Sequence, residues 1–223
     1  MGRVDHDLEL LARSELLSAF PEDDLRLLLL AGEAVTGERG TVVFAEGDEA
    51  ADLFVVRRGR VAVGRRSPDG RESLVALMEA GDLFGEMSLF DSGTRSASAR
   101  ALEPTELLRL PYKPVKDALD RHPQLLWDVV ALLSRRLRST DSALADAVFL
   151  DVTGRTAKRI LELAGDADEF QMPITQEELA GLVGASRERV NKAIAAFVRL
   201  GWLVQYDRRY RITERERLAQ RAR

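Results

Sequence analysis

The 223-residue sequence predicts an α+β chain in three parts: a β-roll with flanking helices over residues 1–123, a long helix and hinge over 124–150, and a winged helix-turn-helix over 151–223. Three observations carry that prediction. Between Glu38 and Leu110, short runs of Val, Leu and Phe are punctuated by Gly40, Gly47, Gly59, Gly64, Gly70, Gly81, Gly85 and Gly93, the texture of short strands and tight turns. From Gln124 to Val148 the chain has neither Gly nor Pro and keeps helical apolar spacing. Beyond Asp151 a helix, a turn with Gly184 and a basic helix follow one another.

In chain order, Leu8 to Leu30 has helical spacing broken at Phe20-Pro21, which predicts two short helices. TVVFAEGD, LFVVRRGRVAV and ESLVALMEAGD are the clearest strand-and-turn units of the roll, with a hairpin signal at Asp69-Gly70. Near Pro111 helical spacing resumes. The long helix then places Leu126, Val130, Leu133, Leu137, Leu144 and Ala147 at steps of four and three, with Thr140 the one polar member of the series. That is a heptad seam, and it predicts either a second helix packed on it or burial against the chain's own core. Asp151 is placed to cap the next helix, and Thr175 opens a capping-box-like TQEE. Leu179, Leu182, Val183, Val190, Ile194 and Phe197 are the expected core of the helix-turn-helix, and two strands around Asp207-Arg208-Arg209 form its wing.

Composition removes several function classes. With no cysteine, disulfides, thiol catalysis, zinc fingers and iron–sulfur clusters are excluded. His6 and His122 are the only histidines and lie far apart, so neither a metal nor a haem site is expected. No His lies between residues 7 and 121, which disfavours a metal-dependent enzyme built in the roll. No signal-peptide pattern opens the chain, and the apolar run LRLLLLAGEAV is cut by Gly32 and Glu33, so a cytoplasmic protein without membrane contact is expected. Charge is split: residues 152–223 hold 14 Lys/Arg against 10 Asp/Glu, net +4, and residues 1–151 carry −8. A basic end on an acidic protein suggests a polyanionic partner, although a solvated charged tail has the same composition.

The run GEMSLFDSGTRSASA, from Gly85 to Ala99, is the most informative local stretch of the roll. A helical turn starting near Glu86 would aim free N–H groups at an anion, Gly85 would admit it, and Arg95 and Ser96 would add a charged fork and a hydroxyl. Glu86 suits such a site if it accepts from a neighbouring hydroxyl, as in a ribose. The alternative is a surface turn in which Arg95 pairs with Glu86.

This run resembles the phosphate-binding cassette of cyclic-nucleotide-binding domains, in particular that of the cAMP receptor protein family of bacterial transcription regulators. The run RRLRSTDSALADAVFLDVTGR, from Arg135 to Arg155, is similar to the family's dimerisation helix and hinge, and the likeness extends from about Phe20 onward. The resemblance implies a homodimer that binds a cyclic nucleotide, double-stranded DNA and RNA polymerase, and that is not an enzyme. By this resemblance Arg95 and Ser96 bind the cyclic phosphate, Glu86 the ribose hydroxyl, Gly85 and Met87 line the site, and Thr140 meets the purine. Relatives carry Ser or Asn where this chain has Asp141. A carboxylate there only accepts hydrogen bonds: it can take the amino group of adenine, the N–H donors of guanine, or face solvent. The effector implied is therefore cAMP, with cGMP, another effector or ligand-free activity as alternatives.

For DNA, the N-terminal end of the second helix carries Ser186, Arg187, Glu188, Arg189 and Lys192, where such helices touch base edges. An Arg can fork onto guanine and a Glu can accept from cytosine. A three-helix module that binds protein is the competing reading. The resemblance implies a TGTGA-like half-site read by Arg187, Glu188 and Lys192, with Arg189 on a phosphate and Thr175 among the DNA contacts.

Overall fold

Two helices open the chain, α1 (Arg3–Arg13) and α2 (Glu22–Ala31), in a computed structural model that describes residues 3–67 and 72–223. The first ends at Arg13, well before the expected break at Phe20-Pro21, and turns fill residues 14–20; Pro21 marks only the start of α2, because proline, lacking an N–H, suits a helix start better than its interior. The predicted hairpin at Asp69-Gly70 lies outside the described residues.

Eight strands follow: β1 (Glu33–Gly37), β2 (Val42–Phe44), β3 (Asp52–Arg58), β4 (Val61–Arg66), β5 (Glu72–Met78), β6 (Leu83–Phe84), β7 (Ser98–Ala101) and β8 (Thr105–Pro111). They form two four-stranded sheets, ordered β1-β8-β3-β6 and β2-β7-β4-β5. Strand β3 pairs antiparallel with β8, Val55 opposite Leu108, and its apolar run is unbroken because both of its faces are covered. Phe54 and Val56 point into the roll, where they join Phe44, Val61, Phe84, Ala99 and Leu107 from both sheets. Leu53 and Val55 point outward into a second core with Leu11, Leu16, Leu17, Leu25 and Leu28 of the N-terminal segment. The short helix α3 (Met87–Asp91) and the helix α4 (Tyr112–Arg121) complete this part. The β texture therefore begins at Glu33 and not at Glu38.

The long helix, α5, runs from Leu126 to Phe149 and follows a 3-10 turn at Pro123–Leu125, two residues later than the expected start at Gln124. At 1.5 Å per residue it is about 36 Å long. It breaks at Leu150-Asp151, and Gly154, the first glycine after it, lies inside the next helix. The helix has two apolar faces. Val129 and Leu132, with Leu125 of the preceding turn, are buried in the outer core of the roll. The seam residues Leu126, Val130, Leu133, Leu137 and Leu144 are exposed in the single chain, Leu137 by 62% and Leu144 by 63%. Of the two expected fates of the seam, burial against the chain's own core is not what the structure shows.

The chain divides into two compact units, residues 1–65 with 75–137, and residues 66–74 with 138–223. The second contains α6 (Val152–Ala164), β9 (Glu169–Gln171), α7 (Gln176–Val183), α8 (Arg187–Arg199), β10 (Leu203–Tyr206), β11 (Arg209–Ile212) and α9 (Arg215–Arg221). Asp151 caps α6, its carboxylate accepting from the Gly154 N–H at 2.8 Å. The wing is three-stranded, ordered β10-β11-β9; the two-stranded expectation missed β9, a three-residue strand too short to announce itself by alternation. Leu179, Val183, Val190, Ile194 and Phe197 are buried as expected, whereas Leu182 is half-buried.

Candidate functional site

The roll assembles one cleft from the sequence-selected run. Its lining includes Phe44, Gly85, Glu86, Met87, Ser88, Arg95, Ser96 and Arg136, and its volume is about 60 Å³. Strand β6 ends at Phe84, Gly85 turns the chain at φ +81°, and α3 begins after Glu86. Any side chain at Gly85 is strained by that φ, and a Cβ there would lie 2.8 Å from an Arg95 Nη1. Ser92 sits in the left-handed region at φ 57° and closes α3, which returns the chain to Arg95.

Arg95 does not stand free to meet an anion, nor does it pair with Glu86. The residue is 4% exposed. Its guanidinium donates to Asp52 Oδ1 at 2.8 Å, to the Gly85 carbonyl at 2.7 Å and to the Tyr112 hydroxyl at 3.1 Å. The head lies 4.2 Å from the centroid of the Phe44 ring, which with Phe54 and Phe84 forms a three-ring cluster inside the roll. The Arg95 backbone is itself fixed, its N–H donating to the Asp48 carbonyl at 2.9 Å and its carbonyl accepting from the Gly47 N–H at 2.9 Å. Asp52 Oδ2 also accepts from Arg109 Nε at 2.6 Å, so this carboxylate is held by two arginines.

Glu86 is fully buried and ion-paired with Arg136 of α5, whose other nitrogen donates to the Leu83 carbonyl at 3.2 Å. Burial pushes the Glu86 carboxyl up, against the opposing pull of Arg136. Two buried polar atoms of the cleft residues, Glu86 Oε2 and Arg95 Nε, have no hydrogen-bond partner. Ser96 Oγ lies 3.5 Å from Met87 Sδ. Phe44, Asp52, Tyr112 and Arg136 were missed in the sequence. Arg136 alone carried a signal there, being a charge beside the heptad seam. Thr140 and Asp141 lie in the last part of α5, both exposed.

In the second unit, Thr175 and Glu178 form a reciprocal capping box, with Glu178 N–H to Thr175 Oγ1 at 3.3 Å and Thr175 N–H to Glu178 Oε2 at 2.7 Å. Gly184 ends α7 in the left-handed conformation at φ 67°. Ser186 then caps α8, its hydroxyl accepting from the Arg189 N–H at 3.4 Å. Thr175 thus caps α7 as its sequence predicted, and Ser186 has a capping duty besides its expected DNA contact. Arg187, Glu188, Arg189 and Lys192 are all exposed on the first turns of α8. Glu188 and Lys192 pair at 2.7 Å, and the hydrogen bond from Lys192 holds the Glu188 carboxyl below the usual range.

Arg155 and Arg159, one turn apart on α6, donate to the carbonyls of Val183 and Leu182 at the end of α7, at 2.9 and 3.3 Å. Arg155 also donates to the Leu150 carbonyl at 2.7 Å. These cations complete carbonyls that a helix leaves unsatisfied at its C-terminal end. Among the described residues no cluster of three or more His, Cys, Asp or Glu side chains could hold a metal ion, and no helix is long and apolar enough to cross a membrane.

Two protein families match the chain: the cyclic nucleotide-binding domain over residues 35–122 and the Crp-like helix-turn-helix domain over residues 154–221. The CRP-like cAMP-activated global transcriptional regulator of Mycobacterium tuberculosis is 39% identical over 222 residues, 96% of this chain and 99% of that protein. Among solved structures, the catabolite activator protein of Thermus thermophilus is 34% identical with a TM-score of 0.53, covering 93% of this chain and 98% of its own. The c-di-GMP-responsive global regulator CLP of Xanthomonas campestris is 26% identical with a TM-score of 0.74, covering 86% and 99%.

Proposed function

The chain belongs to the CRP family of cyclic-nucleotide-binding transcription regulators, and from that premise we propose that it is a homodimer whose DNA binding is controlled by cAMP held in the Glu86–Arg95 cleft. The family regulates transcription and performs no catalysis. The observation that carries the effector reading is the pair of orphaned buried atoms, Glu86 Oε2 and Arg95 Nε, on residues that line one cleft with Ser96. An unsatisfied acceptor and an unsatisfied cationic donor on residues lining one cleft suit a ligand that offers both a hydroxyl and an anion. A ribose cyclic phosphate has both.

At about 60 Å³ the cleft is far smaller than a nucleotide. Binding therefore requires Arg95 to exchange Asp52 and the Gly85 carbonyl for the phosphate, while Ser96 contributes its hydroxyl and Glu86 accepts from the ribose. Thr140 and Asp141 meet the base, and the exposed seam of α5 receives the second subunit. Two-fold symmetry across the seam calls for two α8 helices reading half-sites about 34 Å apart. A near-palindromic TGTGA-like operator and RNA polymerase are the partners this arrangement serves in the cytoplasm. Arg187, Glu188 and Lys192 read base edges, Arg189 holds a phosphate, and Thr175 and Ser186 approach the backbone. The ligand can shift the dimer toward its DNA-binding state only by its difference in affinity for the two states.

The test is calorimetric titration with cAMP, cGMP and c-di-GMP, with and without a symmetric TGTGA-containing duplex. cAMP is expected to bind and to tighten duplex binding; heat from another nucleotide alone reassigns the effector. On the DNA side, Arg187→Ala is expected to cost about 1–3 kcal/mol on the preferred duplex and to relax choice at one base pair, measured by competition binding. An unchanged preference removes Arg187 from the reading residues.

Glu86 supplies a pH signature. Its folded pKa is raised, so the native state holds a proton that the unfolded chain gives up between the ordinary value of 4.5 and the raised one. Stability from this group is complete below 4.5 and is lost as pH rises through the folded pKa. Glu86→Gln, measured by urea unfolding, is expected to gain on the wild type as pH rises through that window. A constant difference across pH refutes the assignment.

A further inference from the structure

The heptad register of α5 assigns a role to Asp141 that base recognition does not. With Leu126, Leu133 and Thr140 at d, and Val130, Leu137 and Leu144 at a, the flanking g positions are Val129, Arg136 and Ala143. The e positions are Trp127, Ser134, Asp141 and Val148. In parallel coiled coils a g residue faces the e residue of the next heptad on the other helix, and such pairs set partner and orientation. Along the whole of α5 only one g–e combination is charged: Arg136 with Asp141. The charges are opposite, so a second copy of the chain is self-complementary at this level of the seam and, by symmetry, makes the contact twice. An antiparallel arrangement would set g against g and e against e and lose both attractions.

We propose that the Arg136 guanidinium bridges Glu86 of its own subunit and Asp141 of the partner subunit, forming a carboxylate–guanidinium–carboxylate relay from the nucleotide cleft to the dimer seam. The proposal rests on the dimeric, nucleotide-binding reading above. Three observations support it. Arg136 already lines the cleft and is ion-paired with Glu86, yet keeps about a third of its side chain exposed, enough for a further acceptor. Asp141 is exposed, and none of the described residues of its own chain pairs with it. A guanidinium has five N–H donors in a planar fork and can serve two carboxylates at once, which a lysine in this place would do poorly.

The relay gives the ligand a route to the interface. A ribose hydroxyl donating to Glu86 Oε2 competes with Arg136 for the charge of that carboxylate. The guanidinium is then drawn toward the partner's Asp141, and the seam tightens beside Thr140. Asp141 in this chain thereby adds to the seam a charge attraction that a neutral side chain there would lack.

The experiment is a double-mutant cycle. The wild type, Arg136→Gln, Asp141→Asn and the double variant are compared by sedimentation for their dimer dissociation constants, without ligand and with cAMP at saturation verified by calorimetry for each. Each single substitution is expected to weaken the dimer by about 3- to 10-fold, given two exposed pairs per dimer. The double variant is expected to be no weaker than the worse single one, with the coupling larger in cAMP. Additive losses overturn the pair, and so does an Asp141→Asn variant with the wild-type dissociation constant. Coupling of equal size with and without bound cAMP overturns the relay. A wild type that stays monomeric fails the dimer reading, and a wild type that dimerises without taking up cAMP fails the effector reading; in that second case the ligand-free cycle still decides the pair.

Discussion

Leu137→Asp combined with Leu144→Asp is expected to leave the protein folded, monomeric and unable to hold a palindromic duplex. Both leucines are more than 60% exposed in the single chain, so neither substitution opens a cavity in either unit. In the proposed dimer each would be buried, contributing about 1.5–3 kcal/mol per side chain. Four such side chains per dimer, replaced by carboxylates that also repel, raise the dissociation constant by at least about four orders of magnitude. Circular dichroism should report unchanged helix content while sedimentation reports the monomer. Duplex binding should fall with it, because each protomer then holds only one half-site. A dimeric variant at micromolar concentration would refute the seam.

The second large effect falls on Arg95. In Arg95→Ala the buried Asp52 loses one of its two cations and keeps Arg109, which is partly exposed. Breaking one side of a buried pair costs about 3 kcal/mol, read by urea unfolding. Losing the cationic donors to the phosphate should weaken cAMP by roughly 100-fold or more, read by calorimetry. Adding Asp52→Asn removes the buried carboxylate that only the partly exposed Arg109 still faces, so the double variant recovers part of the stability without recovering cAMP binding. That split separates the two duties of one guanidinium. Recovery of both, or of neither, would contradict the exchange of Asp52 for phosphate.

Much of this chain could be read before its fold was known. Runs such as LFVV and ESLVALM announced strands, Pro21 announced the start of α2 although not the end of α1 at Arg13, and Asp151, Thr175 and Ser186 announced helix starts that the structure caps with their side chains. These features are local: a cap, a turn glycine or an alternation is decided within a few residues, so the chain declares it directly. Strand β9 was hidden because three residues show no period, and its pairing with β11 joins Phe170 to Tyr210 across a long separation.

The run that turns at Gly85, the heptad along α5 and the basic residues at the start of α8 were legible in the chain alone. The placement of the charges was not, and it follows from packing. Arg95 and Glu86 sit nine residues apart in a run that suggested their pairing, yet each is taken by a residue from another element, Asp52 of β3 and Arg136 of α5. The reason is desolvation: a buried charge needs whichever opposite charge the packed sheets and helices bring within reach, and that neighbour is set by the fold and not by distance along the chain.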